Sequence, residues 1–331
     1  MRQRFLLLTP VLNDWESLSL LIGQISQIVS KTCISLDIVA VDDGSTIPVT
    51  NVSRQILPTD KCIKRIEIIR LALNLGHQRA IAVGLASIVK RYQGDGVIVM
   101  DSDGEDRPED IPRLAAAALA NPDEIIVARR AKRSEATLFK VGYVAYKFLF
   151  RAVTGSEISF GNFSLLPMSA VRRLVHMPEL WNNLPATIVR SHLRYKQIDT
   201  VRGVRFAGVS RMNFPSLVVL GLSAMSVYAD IMFVRILMGA SLVCGLSVIA
   251  MVIVVVIRLA TTLAIPGWAT NAFGNLFIVL FQALIIVVAT TLMVLANRTS
   301  RPFVPISDTE TFIMEKVTIM ERAFEAHESV G

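Results

Sequence analysis

Two aspartates, Asp101 and Asp103, follow the uncharged run Gly96-Val97-Ile98-Val99-Met100 and open an acidic cluster that continues through Glu105 and Asp106. The run reads as a short buried strand, Val97 to Met100, bounded upstream by the turn formers Gly94-Asp95. If the strand stays extended to its end, residues two apart project to one face and the two carboxylates meet there. Paired carboxylates at the mouth of a sheet suit a hard divalent cation, Mg2+ or Mn2+, which takes oxygen ligands. A plainer use of the same acids is to cap a helix starting near Pro108, with Asp106 ahead of it and Glu109 and Asp110 in its first turn. A second pair, Asp42-Asp43-Gly44-Ser45, also ends an apolar segment. Carboxylates on such a tight turn can accept hydrogen bonds from a base or a ribose.

These clusters need a frame, and the hydrophobic periodicity supplies one. Arg4 to Leu8 reads as a strand stopped by Pro10, Leu36 to Val41 as a second and Ile66 to Ile69 as a third. Glu124 to Ala128 follows the Val97 strand as a further one. Between them, Trp15 to Val29, Ala80 to Tyr92 and Ile111 to Ala120 carry apolar residues at helical spacing. Alternation of strands and helices predicts an α/β fold, a mostly parallel doubly wound sheet. Ligands of such sheets bind beyond the carboxyl ends of the strands, where Thr9-Pro10, Asp42-Asp43 and Asp101-Asp103 all fall. A longer helix is expected from Glu135 to Thr154. Phe160-Gly161-Asn162-Phe163 leads into a short strand, and Leu193 to Val204 is mixed and basic. His77 is expected to pack or hydrogen-bond at a helix N-terminus.

The remainder belongs to a different solvent. The chain has 331 residues, 53% of them hydrophobic, and Ile236 to Ile257 and Leu259 to Asn297 contain no charge at all. Each run can hold a spanning helix, which needs about 20 apolar residues. Pro266-Gly267 and Asn271 split off the second helix, from about Ala272 to Ala296. Asn213 to Ala229 is apolar on most of one face and reads as an interfacial helix. Asp308 to Ser329 is charged and helix-prone. The net charge is +7. Arg202, Arg205, Arg211 and Arg235 precede the first span and Arg298 and Arg301 follow the second, which predicts both termini in the cytoplasm. Such a basic juxtamembrane surface suits an anionic lipid headgroup, and without interleaved aromatics it does not suit nucleic acid. Cys33, Cys62 and Cys244 have no paired spacing, so neither a zinc motif nor a disulfide framework is expected.

Four stretches taken together carry a resemblance: Thr9-Pro10-Val11-Leu12-Asn13, Asp42-Asp43-Gly44-Ser45, Asn74-Leu75-Gly76-His77-Gln78 and Asp101-Ser102-Asp103. In this order they resemble the inverting family-2 glycosyltransferases with a GT-A fold, in the polyprenyl-phosphate branch that includes dolichol-phosphate mannose synthase and bacterial undecaprenyl-phosphate sugar transferases. The resemblance covers about residues 4 to 212, and the two spans match the bacterial membrane-bound branch. It implies that Pro10, Asn13, Asp42, Asp43, Asn74, Gly76 and Gln78, with Asp101, hold a nucleotide sugar. Asp101 and Asp103 resemble the family's DxD motif, which binds Mg2+ or Mn2+ on the donor diphosphate. Glu105 stands where relatives often carry glutamine as a further ligand. Arg205 to Met212 resembles an RxxGxSK segment, so Arg205 would act catalytically, and Ser210 and Arg211 would meet the acceptor phosphate. Arg130, Arg133 and Lys140 resemble basic positions for that same lipid phosphate. UDP-glucose, UDP-N-acetylglucosamine and GDP-mannose all remain open as donors, with UDP-sugars favoured. The resemblance also implies a homotetramer in the bacterial inner membrane.

Two departures stand out. Gly161-Asn162-Phe163 replaces a glycine-aspartate-phenylalanine segment, and asparagine cannot act as a general base. Leu73 replaces an arginine common among relatives. Trp181-Asn182-Asn183 does not form the QxxRW signature of processive synthases. The expected organisation is a GT-A domain over 1–212, an interfacial helix over 213–231, two spans with a short external loop over 232–297, and a cytoplasmic tail over 298–331. The expected activity is transfer of a sugar to undecaprenyl phosphate. The alternatives are a transferase with a glycan or lipid hydroxyl acceptor, and a catalytically silent membrane scaffold of the same fold.

Overall fold

The computed structural model describes residues 3–32, 34–48, 62–130, 150–151, 154–155, 157–207, 214–261 and 265–321. Eight strands make one sheet in the order β7-β5-β6-β4-β1-β2-β3-β8. They are β1 (Gln3–Val11), β2 (Ile34–Asp42), β3 (Ile63–Leu71), β4 (Gly96–Val99), β5 (Ile125–Arg130), β6 (Ser164–Pro167), β7 (Tyr195–Thr200) and β8 (Ile313–Glu321). The central block β4-β1-β2-β3 is parallel, as the alternating pattern predicts. The first strand does not stop at Pro10 but runs through it to Val11. Proline lacks an N–H, and here none is needed. The Leu8 carbonyl faces Met100, so Pro10, two residues on, faces the same side, beyond the last β4 pair at Leu8–Val99.

Helices cover both faces of this sheet. They are α1 (Trp15–Val29), α2 (His77–Arg91), α3 (Ile111–Ala120), α4 (Met168–Leu174) and α5 (Leu184–Arg190). Because strand side chains alternate, Phe5 and Leu7 join Leu18, Ile22 and Leu114 in one core, while Leu6 and Leu8 join Ile81, Leu85 and Val171 in the other. All ten are at most 1–2% exposed, so the sheet is buried on both sides.

Two antiparallel insertions go beyond the local pattern. β6 slots between β4 and β5 and runs against both. Its first residue, Ser164, therefore pairs with Val99 at the carboxyl end of β4, which brings Asn162 to the rim where Asp101 emerges. β8 pairs antiparallel with β3 at the opposite edge. The expected helical character of 308–329 thus fails over Ile313–Glu321. That stretch carries the β-branched residues Ile313, Val317, Thr318 and Ile319, which suit a strand, and it pairs with β3 instead of coiling on itself. Ahead of it, Phe303 and Phe312 stack with Trp181, at centroid distances of 4.0 and 5.4 Å.

The contacts divide the chain into two units, one of residues 1–142, 157–227 and 303–331, the other of 143–156 and 228–302. The first includes α6 (Phe214–Ser226), close to the expected interfacial helix. The second contains α7 (Ala229–Ala260) and α8 (Trp268–Thr299), both long and apolar enough to cross a membrane. At 1.5 Å per residue each is about 48 Å long, more than a hydrocarbon core of about 30 Å requires. Gly267 has φ 86° and caps α8, so Asn271 lies inside the helix and not at its boundary. Large apolar side chains such as Leu242, Ile249, Phe281 and Leu292 are exposed along both helices. The buried positions are small and seven apart, Ala240, Ser247 and Val254 on α7 and Ala283 and Thr290 on α8. That is how helices pack in a solvent as apolar as their own side chains.

Candidate active site

The β2 turn is built by its carboxylates. Asp42 accepts from the Ser45 N–H at 2.8 Å and lies 3.6 Å from the Arg70 guanidinium. Asp43 accepts from the Leu75 and Gly76 amides at 2.7 and 3.0 Å, just ahead of α2. Burial pushes the Asp43 carboxyl above the usual carboxylate range, and the two amides only partly offset it. Gly44 adopts φ 76°, and a Cβ there would stand 2.7 Å from the Asn74 nitrogen. Asn74 accepts from the Gly76 N–H at 3.0 Å. Asn13, itself at φ 50°, accepts through Oδ1 from the Thr46 and Ile47 amides, at 2.9 and 3.1 Å. Pro10 accepts through its carbonyl from the Ser102 hydroxyl at 3.3 Å. Asn13, Asp42, Asp43 and Asn74, assigned to the nucleotide from sequence, therefore tie the β1, β2 and α2 loops together, each accepting from protein amides.

The β4 turn differs. β4 ends at Val99, so Asp101 and Asp103 do not share an extended strand. They sit instead on a turn whose Gly104 has φ 86°. The turn is closed by the Asp101 N–H donating to Asp106 at 3.1 Å and the Glu105 N–H donating to Asp103 at 3.0 Å. The two carboxylates still feel each other. Burial raises the Asp103 pKa first, and the charges of Asp101 and Glu105 add to it against the Glu105 amide and Arg205. Arg205 lies 3.5 Å from Asp103 and 3.7 Å from Asp14.

Asp101 faces His77, at 3.1 Å from Oδ1 to Nε2. The same ring nitrogen is 2.9 Å from the amide nitrogen of Asn162. A fixed main-chain donor sets this direction. The Leu184 N–H donates to Gln78 Oε1, and Gln78 Nε2 donates to Asn162 Oδ1, each at 2.9 Å. The nitrogen of Asn162 is thereby turned to His77. Nε2 carries either a proton for Asp101 or a lone pair for Asn162. Packing around the ring lowers the His77 pKa, but Asp101, with Asp106 and Asp43 further away, more than reverses this and leaves it raised. Gln78 is thus a support for Asn162, and His77 belongs to the site as a hydrogen-bonding residue at the head of α2.

Glu105 does not join the two aspartates. Both its oxygens accept from one terminal nitrogen of Arg202, at 2.7 Å each. Among the described residues, no three His, Cys, Asp or Glu side chains converge on a cation position. Asp101 and Asp103 nevertheless fit a divalent metal. They are hard oxygen donors whose mutual repulsion a cation would relieve, and Mg2+ commonly takes one or two carboxylates and completes its shell with substrate phosphates and water. Arg130 ends β5 at the same rim by its main chain. Arg133, Lys140, Ser210 and Arg211 lie outside the described residues. Sequence reading missed Asp14 and Arg202, whose roles arise only from segments about 100 to 190 residues apart.

Comparison with known proteins assigns a class to this mostly parallel sheet with paired carboxylates at its rim. The family model described as Glycosyl transferase family 2 matches residues 7–168. The chain carries a family-2 glycosyltransferase domain and is a glycosyltransferase. It is 23% identical over 320 residues to the uncharacterized glycosyltransferase YkcC of Bacillus subtilis, covering 95% of this chain and 94% of that one. It is 26% identical over 280 residues to the undecaprenyl-phosphate 4-deoxy-4-formamido-L-arabinose transferase of Yersinia enterocolitica, covering 82% and 81%. Among solved structures, glucosyl-3-phosphoglycerate synthase of Mycobacterium tuberculosis, in complex with Mn2+ and uridine-diphosphate-glucose, overlaps 68% of this chain and 79% of its own, at 13% identity and TM-score 0.47.

Proposed function

We propose that the protein transfers a sugar from a nucleotide sugar, with a UDP-sugar favoured, to a polyprenyl phosphate at the cytoplasmic face of a bacterial inner membrane. The observation that carries this reading is the pairing of Arg205 with Asp103 at the sheet rim, on the segment that runs in sequence into α6 and the apolar hairpin. The relative named for undecaprenyl-phosphate transfer supports the acceptor class. An acceptor phosphate is already ionised at neutral pH and needs positioning more than deprotonation. Its oxygen attacks the anomeric carbon from the face opposite the leaving diphosphate, the new C–O bond inverts that centre, and the nucleoside diphosphate departs.

Asp101 and Asp103 would hold Mg2+ or Mn2+, which as a Lewis acid offsets charge on the leaving diphosphate. Arg205 has a planar fork suited to a phosphate once its carboxylate partner is otherwise engaged. Asn162 is held as an amide between Gln78 and His77 and offers no base for a hydroxyl acceptor. β8 returns to the same sheet as β1 after the hairpin, which requires an even number of crossings, and α7 and α8 provide two. Together with the arginines flanking the hairpin, this supports a sheet domain in the cytoplasm.

The test uses full-length protein in detergent with undecaprenyl phosphate, Mg2+ or Mn2+, and radiolabelled UDP-glucose, UDP-N-acetylglucosamine or GDP-mannose. Label entering the organic phase from one donor, and lost with EDTA and in Asp103→Ala, is the expected result. Nucleotide binding without transfer from any donor would overturn the reading in favour of another acceptor or a silent scaffold.

A further inference from the structure

The segment after β7, residues 201–207, lies directly across the Asp101–Asp106 turn. The Gly203 N–H donates to the Glu105 carbonyl at 2.8 Å, and the Phe206 N–H donates to the Asp103 carbonyl at 2.9 Å. The two backbones touch. A Cβ on Gly203 would strike the Gly104 carbonyl, and a Cβ on Gly104 would stand 2.8 Å from the Phe206 ring. Phe206 in turn packs against the buried core beneath the sheet. Arg202 closes the arrangement through both oxygens of Glu105, whose side chain is 18% exposed.

We propose that Glu105 is not a metal ligand in this chain, and that Glu105 and Arg202 form a clasp that positions Arg205 over Asp103. A carboxylate whose two oxygens both face a guanidinium at 2.7 Å has little negative charge left to offer a cation. The glutamine that the resemblance places here could give Arg202 only one oxygen and no charge. The acid at position 105 thus has a use tied to Arg202. The clasp fixes the backbone on both sides of Arg205: Gly203 and Phe206 are tied to the turn, and two residues remain between them. Arg205 then reaches Asp103 and Asp14 without searching. Because 201–207 leads on in sequence to α6, the clasp also ties the Asp101–Asp106 turn to the segment that precedes α6 in the chain. Glu105 and Arg202 are positioning residues, since they act through Arg205.

The inference rests on the glycosyltransferase reading, so its test includes measurements that need no turnover. Full-length protein in detergent is compared with Glu105→Leu, Arg202→Gln and the reversed pair Arg202→Glu with Glu105→Arg. Mn2+ affinity in the presence of UDP is followed by electron paramagnetic resonance. Hydrogen exchange is followed at the Gly203 and Phe206 amides, and kcat and donor KM are measured with undecaprenyl phosphate. Each single variant is expected to lose about 10- to 100-fold in kcat with little change in donor KM, as supporting residues do. Exchange at the two amides should rise about tenfold or more, Mn2+ affinity should stay within about twofold, and the reversed pair should recover most of the kcat. Mn2+ affinity falling about tenfold in Glu105→Leu, with amide exchange unchanged, would make Glu105 a ligand and overturn the clasp. So would Arg202→Gln turning over and exchanging like the parent. Should the parent transfer no sugar at all, the functional reading fails, and the exchange and Mn2+ measurements still decide the clasp.

Discussion

The chain has two acidic turns of nearly the same composition at the ends of two buried strands, and they are put to opposite uses. In the β2 turn, Asp42 and Asp43 are buried and accept from main-chain amides that cannot rotate away, with the Arg70 guanidinium 3.6 Å from Asp42. In the β4 turn, the side chains of Asp101 and Asp103 stay 30% and 20% exposed and face His77 and Arg205. A carboxylate satisfied by backbone amides is part of the frame. One faced by mobile cationic side chains can exchange its partner, which is what a site that receives a cation and a diphosphate requires. Burial raises the pKa of both Asp43 and Asp103, so electrostatic perturbation alone does not tell them apart; Asp43 has both oxygens on amides, whereas Asp103 has one on the Glu105 amide and the other 3.5 Å from Arg205.

The sharpest way to break this contrast is to make the same isosteric change in both turns. Asp103→Asn should cost roughly 100- to 1,000-fold in transfer while the protein stays folded, as measured by label transfer and thermal unfolding in detergent. Next in size, Gly44→Ala should destabilise by about 3 kcal/mol. A side chain there is strained at φ 76° and meets the Asn74 nitrogen, and a denaturant midpoint would register it. Asp43→Asn should destabilise by about 2 kcal/mol, because one of its two oxygens becomes an NH2 facing an amide N–H. The same midpoint checks it, and an unchanged midpoint would mean that the β2 turn is not held by this carboxylate.

Smallest, Asp103→Asn should stabilise the metal-free protein slightly, by about half a kcal/mol after solvent screening. The sign follows from linkage. A carboxyl whose folded pKa is raised penalises folding above that pKa, and the penalty disappears as pH falls through the folded and then the unfolded value. The advantage of the asparagine variant should therefore be present at neutral pH and vanish in acid, which thermal scans from neutral to acid pH would show. Destabilisation at neutral pH would place Asp103 with the framework acids.

Much of this molecule is legible locally. Trp15–Val29 and Ile111–Ala120 form the helices that their apolar spacing predicts, residue for residue. The parallel strands, the two apolar helices and the location of both acidic clusters at one rim also follow from pattern. Periods of two and of 3.6 residues are enforced within a few neighbouring residues, and a buried face must be apolar wherever it lies in the chain. The sequence by itself therefore determined the central parallel strands, the helices between them and the class of fold.

Only the tertiary structure decided how those acids are used. Asp43 is spent on amides 32 and 33 residues away, Glu105 on an arginine 97 away, and Asn162 on Gln78 and His77, 84 and 85 away. β6 reaches the rim by running antiparallel, and β8 completes the sheet from the far side of the apolar hairpin. None of these pairings leaves a local periodicity. A carboxylate has the same composition whether an amide, a guanidinium or a metal ion stands opposite it, and what stands opposite is settled only when distant segments pack.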